Sequence, residues 1–212
     1  MLFFLQSLFY FPPPLANLSL ITMKSIRALE MNSYALVYVA MVVVTLAVDY
    51  LGNYDPFHAW KMSQIPSAKW IAIGLSVTIV YLIGALLSSR MFNWAINLDK
   101  VFRQILTPFS YVQIVFLALL SGFVEEWFFR GVLQPRFGII LTSIVFGLSH
   151  FLPERTLWFW SVTSFAISIV FGLIFKNSGS LLLLALMHSA INFVLLWRLN
   201  HSADRSHPLP SL

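Results

Sequence analysis

The sequence predicts an all-α fold, a polytopic bundle of about six transmembrane helices, and three observations support this prediction. Hydrophobic residues make up 59% of the chain and charged residues only 10%, whereas soluble domains carry about a quarter charged residues. The mean hydropathy is +0.82. Uncharged stretches of about 20 residues, the length that crosses a membrane, recur along the chain. With 212 residues of this composition, we expect one helical bundle.

Six spans are predicted in chain order. Four of the spans are apolar throughout most of their length. Polar residues interrupt the other two: the fourth span ends close to His150, and the sixth contains His188 and Asn192. Because the connections between spans are short, neighbouring helices should run antiparallel. The predicted spans cover residues 31–48, 70–89, 104–124, 137–152, 156–175 and 177–197.

The segments outside the spans differ in composition from the bundle, which we assign to residues 31–197. Residues 1–30 form an N-terminal segment of uncertain status, because the apolar stretch 2–11 is too short to span a membrane and prolines follow it. Residues 198–212 form a polar C-terminal tail that we expect to be disordered.

The basic residues bear on both partners and orientation. The formal net charge is +5, but the basic residues are scattered between apolar runs, so we expect anionic headgroups of the lipid bilayer as partners and no nucleic acid. Eight lie on the side of the two termini and five on the other, which favours cytoplasmic termini in a multi-pass protein of the cell membrane. The eight are Lys24, Arg27, Arg90, Lys100, Arg103, Arg155, Arg198 and Arg205, and the five are Lys61, Lys69, Arg130, Arg136 and Lys176.

Three polar segments interrupt the later spans, and the first runs from Glu125 to Arg130. An ionisable group at a helix centre costs about 3 kcal/mol on insertion scales, so each needs a partner or a task. Arg130 follows Glu126 by four residues and shares its helix face, so we predict a structural ion pair. Glu125 is offset by about 100° and has no nearby cation, which suits a general base. Alternatively, both glutamates lie at a helix end among headgroups.

The second and third segments each contain a histidine. His150 lies near the end of the fourth predicted span, and His188 shares a helix face with Asn192 at a spacing of four residues. Taken singly, His150 also fits an interfacial position, and His188 with Asn192 also fits polar contacts that hold helices together.

Depth in the membrane relates the three segments. If the chain turns near Gly138 and near Gly179 on the same side, Glu125, His150 and His188 all lie about 13 to 18 Å from that surface. Ionisable groups on three helices would then share one layer. We therefore predict that they line one cavity, and that this cavity opens toward the surface of the two turns.

Three ordered blocks resemble the CPBP family, the CAAX-processing and bacteriocin-processing intramembrane peptidases related to the Rce1-type prenyl-protein endopeptidase. Residues 125–131 resemble the family's EExxxR block with its following glycine, residues 146–150 match FxxxH, and residues 188–192 match HxxxN. The blocks lie in a core at about 104–197. Their order and separation on membrane helices make the resemblance specific.

The resemblance implies an intramembrane endopeptidase that acts on a membrane-associated protein or peptide. It makes Glu125 the residue that activates water, with assistance from His150. It also implies that His188 and Asn192 stabilise the oxyanion that forms on the attacked carbonyl, a role that suits their N–H donors.

The metal requirement of such a site has two possible answers. The family has also been described as metallopeptidases, and a Glu/His/His set is able to bind zinc. However, the chain contains no cysteine and no His-Glu-x-x-His motif, which places two imidazoles on one ion. We therefore expect no cofactor and favour metal-independent glutamate chemistry over zinc.

A non-proteolytic membrane protein is the alternative, either a carrier or a scaffold that retains the family fold. Buried carboxylates and histidines also form relays in transporters. Carriers usually contain repeated halves or paired broken helices, and the sequence contains no such repeat.

Overall fold

The computed structural model describes residues 20–52, 55, 57–106, 109–151 and 158–204, and all regular secondary structure within them is helical. The predicted stretch 2–11 and residues 205–212 of the predicted tail lie outside this part of the chain. The described helices are α1 (Leu20–Leu51), α2 (His58–Lys61), α3 (Ala68–Met91), α4 (Asn93–Leu106), α5 (Tyr111–Glu126), a π-helical segment (Trp127–Leu133), α6 (Gln134–Ser149), α7 (Trp158–Ser178) and α8 (Leu181–Asp204).

The helices confirm the prediction of an all-α membrane bundle. Four helical stretches of the described chain are long and apolar enough to cross a membrane, and α1 adds a shorter apolar stretch, Leu36–Leu51. One of the four, Tyr111–Ser149, contains two predicted spans, because the chain turns at Gly138. Its φ of 76° lies in the left-handed region that glycine adopts without strain. The four stretches are Ala68–Met91, Tyr111–Ser149, Trp158–Ser178 and Leu181–His201.

Several helix boundaries differ from the predicted spans, and α1 begins at Leu20 rather than at residue 31. The third span begins at Tyr111 rather than at residue 104, because Ser110 caps α5 by accepting a hydrogen bond from the Gln113 N–H and donating its own N–H to the Gln113 side chain. The last helix continues past residue 197 to Asp204. Its final turns are anchored by Asn200, whose side chain exchanges two hydrogen bonds with the Phe109 backbone.

The helix ends lie on two sides of the bundle. On one side Arg198 of α8 pairs with Asp99 of α4, and we call this the α4 side. On the other side Arg136 donates to Asp49 at 3.2 Å, close to the turn at Gly138, and we call this the Gly138 side. The short α4 was not among the predicted spans because it is amphipathic, with apolar residues on one face and charged residues on the other.

Close packing of α5 against α8 positions the polar segments. A Cβ atom on Gly122 would collide with Ser189 and with the backbone of Ala185, so glycine at this position lets the two helices approach closely. Glu125 and Glu126 follow Gly122 by about one turn. The contact therefore brings both glutamates next to the histidine block of α8.

Candidate active site

A cavity of about 450 Å³ lies within the bundle, and its lining contains all four residues for which the sequence predicts catalytic roles. They come from three helices: Glu125 from α5, His150 from the end of α6, and His188 and Asn192 from α8. The convergence that was predicted from depth is therefore present.

Glu125 has two oxygens in different surroundings. The Tyr38 hydroxyl donates to Oε1 at 3.1 Å. Oε2 lies 4.0 Å from His150 Nε2 and accepts no hydrogen bond from any described residue. The side chain is buried, with 7% of its surface exposed, so Oε2 is a carboxylate acceptor on a largely enclosed cavity wall.

His150 is oriented by its own helix. Its Nδ1 lies 2.8 Å from the carbonyl oxygen of Phe146. Because a carbonyl only accepts, this contact assigns the proton to Nδ1 and leaves Nε2 of the neutral ring as an acceptor. The ring stacks edge-on against Trp160, with centroids 5.0 Å apart. Nε2 and Glu125 Oε2 are therefore two acceptors that face each other across 4.0 Å.

Glu126 binds two partners and does not line the cavity. Arg130 Nε donates to Oε2 at 2.9 Å, the pairing that the spacing of four residues predicts. His188 Nδ1 lies 2.8 Å from Oε1, a contact that the sequence did not indicate. Both Glu126 and Arg130 have no exposed side-chain surface. The carboxylate therefore holds a guanidinium on one oxygen and an imidazole on the other.

The two donors expected on α8 are both fixed by neighbouring side chains. Because Glu126 accepts from His188 Nδ1, the His188 ring turns its Nε2 away from the carboxylate. Nε2 donates only in the doubly protonated ring. The Asn192 amide donates one N–H to Ser121 at 2.7 Å and retains a second N–H.

Comparison with known proteins relates these residues to a family. Residues 107–194 match the family described as type II CAAX prenyl endopeptidase Rce1-like, and all three polar blocks fall within that range. Over these residues the chain is similar to a family of membrane proteases, and together with the apolar helices this similarity indicates a multi-pass membrane protein.

The chain also resembles a curated protein, the uncharacterized protein YpbD of Bacillus subtilis (strain 168). The two are 29% identical over 135 residues, which cover 63% of this chain and 71% of that protein. No solved structure matches the chain significantly.

The sequence did not indicate three residues that contact the site. Tyr38 lies 87 positions from Glu125, and Ser121 lies 71 positions from Asn192. Ser168 accepts from Arg130 Nη2 at 2.9 Å, although it is 38 positions away. A tyrosine or serine in an apolar span is common, so only the packing of α1, α5 and α7 identifies these contacts.

The lining of the cavity does not support the predicted opening. We expected it toward the Gly138 side, but the lining beyond the catalytic residues belongs to the α4 side. Toward the Gly138 side, Gln134 donates to the Gly172 carbonyl at 3.0 Å and packs against α7, and neither residue lines the cavity. Depth from one surface does not determine which end of a bundle is packed shut. The α4-side lining includes Ser88, Trp94, Leu98, Phe102 and Leu199.

The donor groups of the site can be compared with those of a zinc site. Catalytic zinc sites use three protein ligands, and no group of three or more His, Asp or Glu side chains in the described chain is arranged to hold an ion. His188 Nδ1 and His150 Nδ1 are each bonded to another protein atom, which leaves Nε2 as the remaining nitrogen of each ring.

Proposed function

We propose that this chain is an intramembrane endopeptidase of the cell membrane, which hydrolyses a peptide bond of a membrane-associated protein or peptide with a water molecule activated by Glu125 and His150. One observation carries the proposal. Two buried acceptor atoms, Glu125 Oε2 and His150 Nε2, face each other at 4.0 Å on the wall of a cavity.

Two facing acceptors are suited to orient a water nucleophile. A water about 2.8 Å from each atom donates one O–H to Glu125 Oε2 and the other to His150 Nε2. Its lone pair is then free to attack a carbonyl carbon. The Tyr38 hydrogen bond to Oε1 fixes the carboxylate in this orientation.

The chemical steps use Glu125 first as a base and then as an acid. As the water oxygen bonds to the carbonyl carbon, Glu125 takes one water proton. When the carbon–nitrogen bond breaks, Glu125 delivers that proton to the leaving amine nitrogen. The second water proton remains on the new carboxyl group and dissociates to solvent.

The oxyanion is stabilised from the α8 wall. His188 in its doubly protonated form donates from Nε2, and Asn192 donates its second amide N–H. Donors that are held in place before the reaction stabilise developing charge without reorganising. Glu126 holds His188 in position at 2.8 Å, so its proposed role extends beyond the ion pair with Arg130.

Metal-independent hydrolysis is part of the proposal. It is supported by the donor geometry, since no three His, Asp or Glu side chains of the described chain are grouped as a catalytic zinc site requires. The acid–base pair described above supplies the activation that zinc provides in metallopeptidases.

The experiment uses purified protein reconstituted in liposomes with a prenylated CAAX reporter peptide, in water enriched in ¹⁸O. We expect cleavage with one ¹⁸O atom in the new carboxyl group, at a rate that prolonged chelation leaves unchanged. Empty liposomes give the background. Absence of cleavage would favour a carrier or scaffold, and one zinc per chain with activity lost on chelation would overturn the metal-independent mechanism.

A further inference from the structure

The α4-side end of the cavity contains a charged cluster that is separate from the catalytic residues. Arg198 Nη2 donates to both carboxylate oxygens of Asp99, at 2.5 and 2.6 Å, and Nη1 donates to Ser89 Oγ at 2.7 Å. The three residues come from α8, α4 and α3, and all of them line the cavity. Arg198 and Asp99 are largely buried, with 22% and 15% of their side-chain surface exposed.

The geometry of this cluster is that of a carboxylate receptor. An arginine fork with a hydroxyl group beside it is a common way in which proteins bind carboxylates. Asp99 occupies that position from within the chain. Arg198 Nε is buried and donates to no described residue, so a second carboxylate reaches the guanidinium only at the Nη atoms that Asp99 and Ser89 occupy.

The position of Arg198 fits one end of a bound peptide. At 1.5 Å per residue of α8, Arg198 lies about 9 Å beyond Asn192 and about 15 Å beyond His188. An extended chain covers about 3.3 to 3.6 Å per residue, so about three to four residues separate the oxyanion donors from the guanidinium.

The wall between these two ends is apolar. α8 supplies one side of it, and α4 packs opposite through aromatic contacts with α7, Trp94 on Phe159 and Phe102 on Trp160. A peptide in this part of the cavity therefore meets hydrophobic surface along its side chains and a charge only at its end. The wall includes Ile191, Leu195 and Leu199 of α8 and Trp94, Leu98 and Phe102 of α4.

We propose that Arg198, with Ser89, binds the free C-terminal carboxylate of the substrate, and that Asp99 competes with that carboxylate for the guanidinium. The inference rests on the proposed peptidase function and adds a specificity determinant to it. Arg198 selects substrates whose C-terminus follows the cleaved bond after a short apolar segment. Because Asp99 neutralises Arg198 in the absence of substrate, no uncompensated cation remains in the cavity.

The test compares two reporter peptides, one with a free C-terminal carboxylate and one with a C-terminal amide. The measured quantity is the ratio of kcat/KM for the acid over the amide, which is independent of the fraction of folded enzyme. Hydrogen bonds to a charged group are worth about 1.5–3 kcal/mol, so we expect the unmodified protein to prefer the acid by at least about tenfold, mainly through KM.

Three variants complete the experiment. In Arg198→Gln the ratio should fall to near one, and in Asp99→Asn it should rise above that of the unmodified protein because the competing carboxylate is gone. Arg90→Gln removes an exposed arginine at the same side of the bundle and should leave the ratio unchanged.

Two outcomes overturn the inference in distinguishable ways. Equal rates on acid and amide by the unmodified protein, or an unchanged ratio in Arg198→Gln, would show that the cluster only fastens α4 to α8, and the proposed function would stand. Cleavage of neither peptide would overturn the proposed function and this inference with it.

Discussion

Glu125 and Glu126 are adjacent in the chain but bind different groups. Glu125 keeps one oxygen without a described hydrogen-bond donor, at 4.0 Å from His150, whereas Glu126 accepts from Arg130 and His188. A helix turns by about 100° per residue, and this offset alone directs the first carboxylate into the cavity and the second behind it. The spacing of four residues predicts the Arg130 contact, but no spacing in the sequence relates His188 to Glu126.

The different partners predict different consequences of removing each charge. In Glu126→Gln, Arg130 loses its counter-charge at a site with no exposed side-chain surface, and breaking a buried pair typically costs about 3–5 kcal/mol. Glu125 has no such cation. We expect the melting temperature of detergent-solubilised Glu126→Gln to lie well below that of Glu125→Gln. Equal melting temperatures for the two variants would contradict the pairing.

At the scale of elements, the contact between α5 and α8 assembles the site. Hydropathy predicted the helix positions, and the glycines at 138 and 179 predicted the two turns. Both glycines have a positive φ. The amphipathic α4 was not predicted, because no stretch of it is apolar enough to resemble a span. Its role as a cavity wall depends on packing against α7 that no local pattern encodes.

A methyl group at the α5–α8 contact should separate the two helices. Gly122→Ala places a Cβ against Ser189 and the Ala185 backbone, and overpacking of this kind costs about 1–3 kcal/mol or more. We expect a lower melting temperature and loss of cleavage. Gly84→Ala is the matched control, since a Cβ there meets no atom within 4 Å. If both variants melt at the same temperature, close approach at Gly122 is not required.

At the scale of the whole molecule, the cavity extends toward the α4 side, where Arg90, Lys100 and Arg198 lie. The sequence predicted the layer in which the catalytic residues meet but not the open end, because burial of the Gly138 side depends on contacts between distant segments such as Gln134 and Gly172. If the charge asymmetry sets orientation, the mouth of the cavity faces the cytoplasm.

The orientation can be tested because the chain contains no cysteine. Lys100→Cys introduces a single thiol at an exposed position of α4. Lys176→Cys introduces one at an exposed position near the Gly138-side end of α7. In intact cells, a membrane-impermeant maleimide should label the second thiol and spare the first until the membrane is opened. The reverse pattern would place the cavity mouth outside the cytoplasm.

The role of Glu125 as the base is the central claim, and the cleavage rate of Glu125→Gln in liposomes tests it most directly. Glutamine retains the shape of the side chain but does not accept a water proton. A suitable control is Asp55→Asn, which removes an exposed carboxylate outside the cavity. Lys61, 2.6 Å away, lowers the pKa of Asp55, so this carboxyl is ionised at neutral pH.

We expect Asp55→Asn to cleave the reporter at the rate of the unmodified protein. Glu125→Gln should be folded, with a normal melting temperature, and should release no product above the background of empty liposomes. General acid–base groups contribute about 10²–10⁴-fold in rate, so the loss should be unmistakable. Undiminished cleavage by folded Glu125→Gln would contradict the assignment of Glu125 as the residue that activates water.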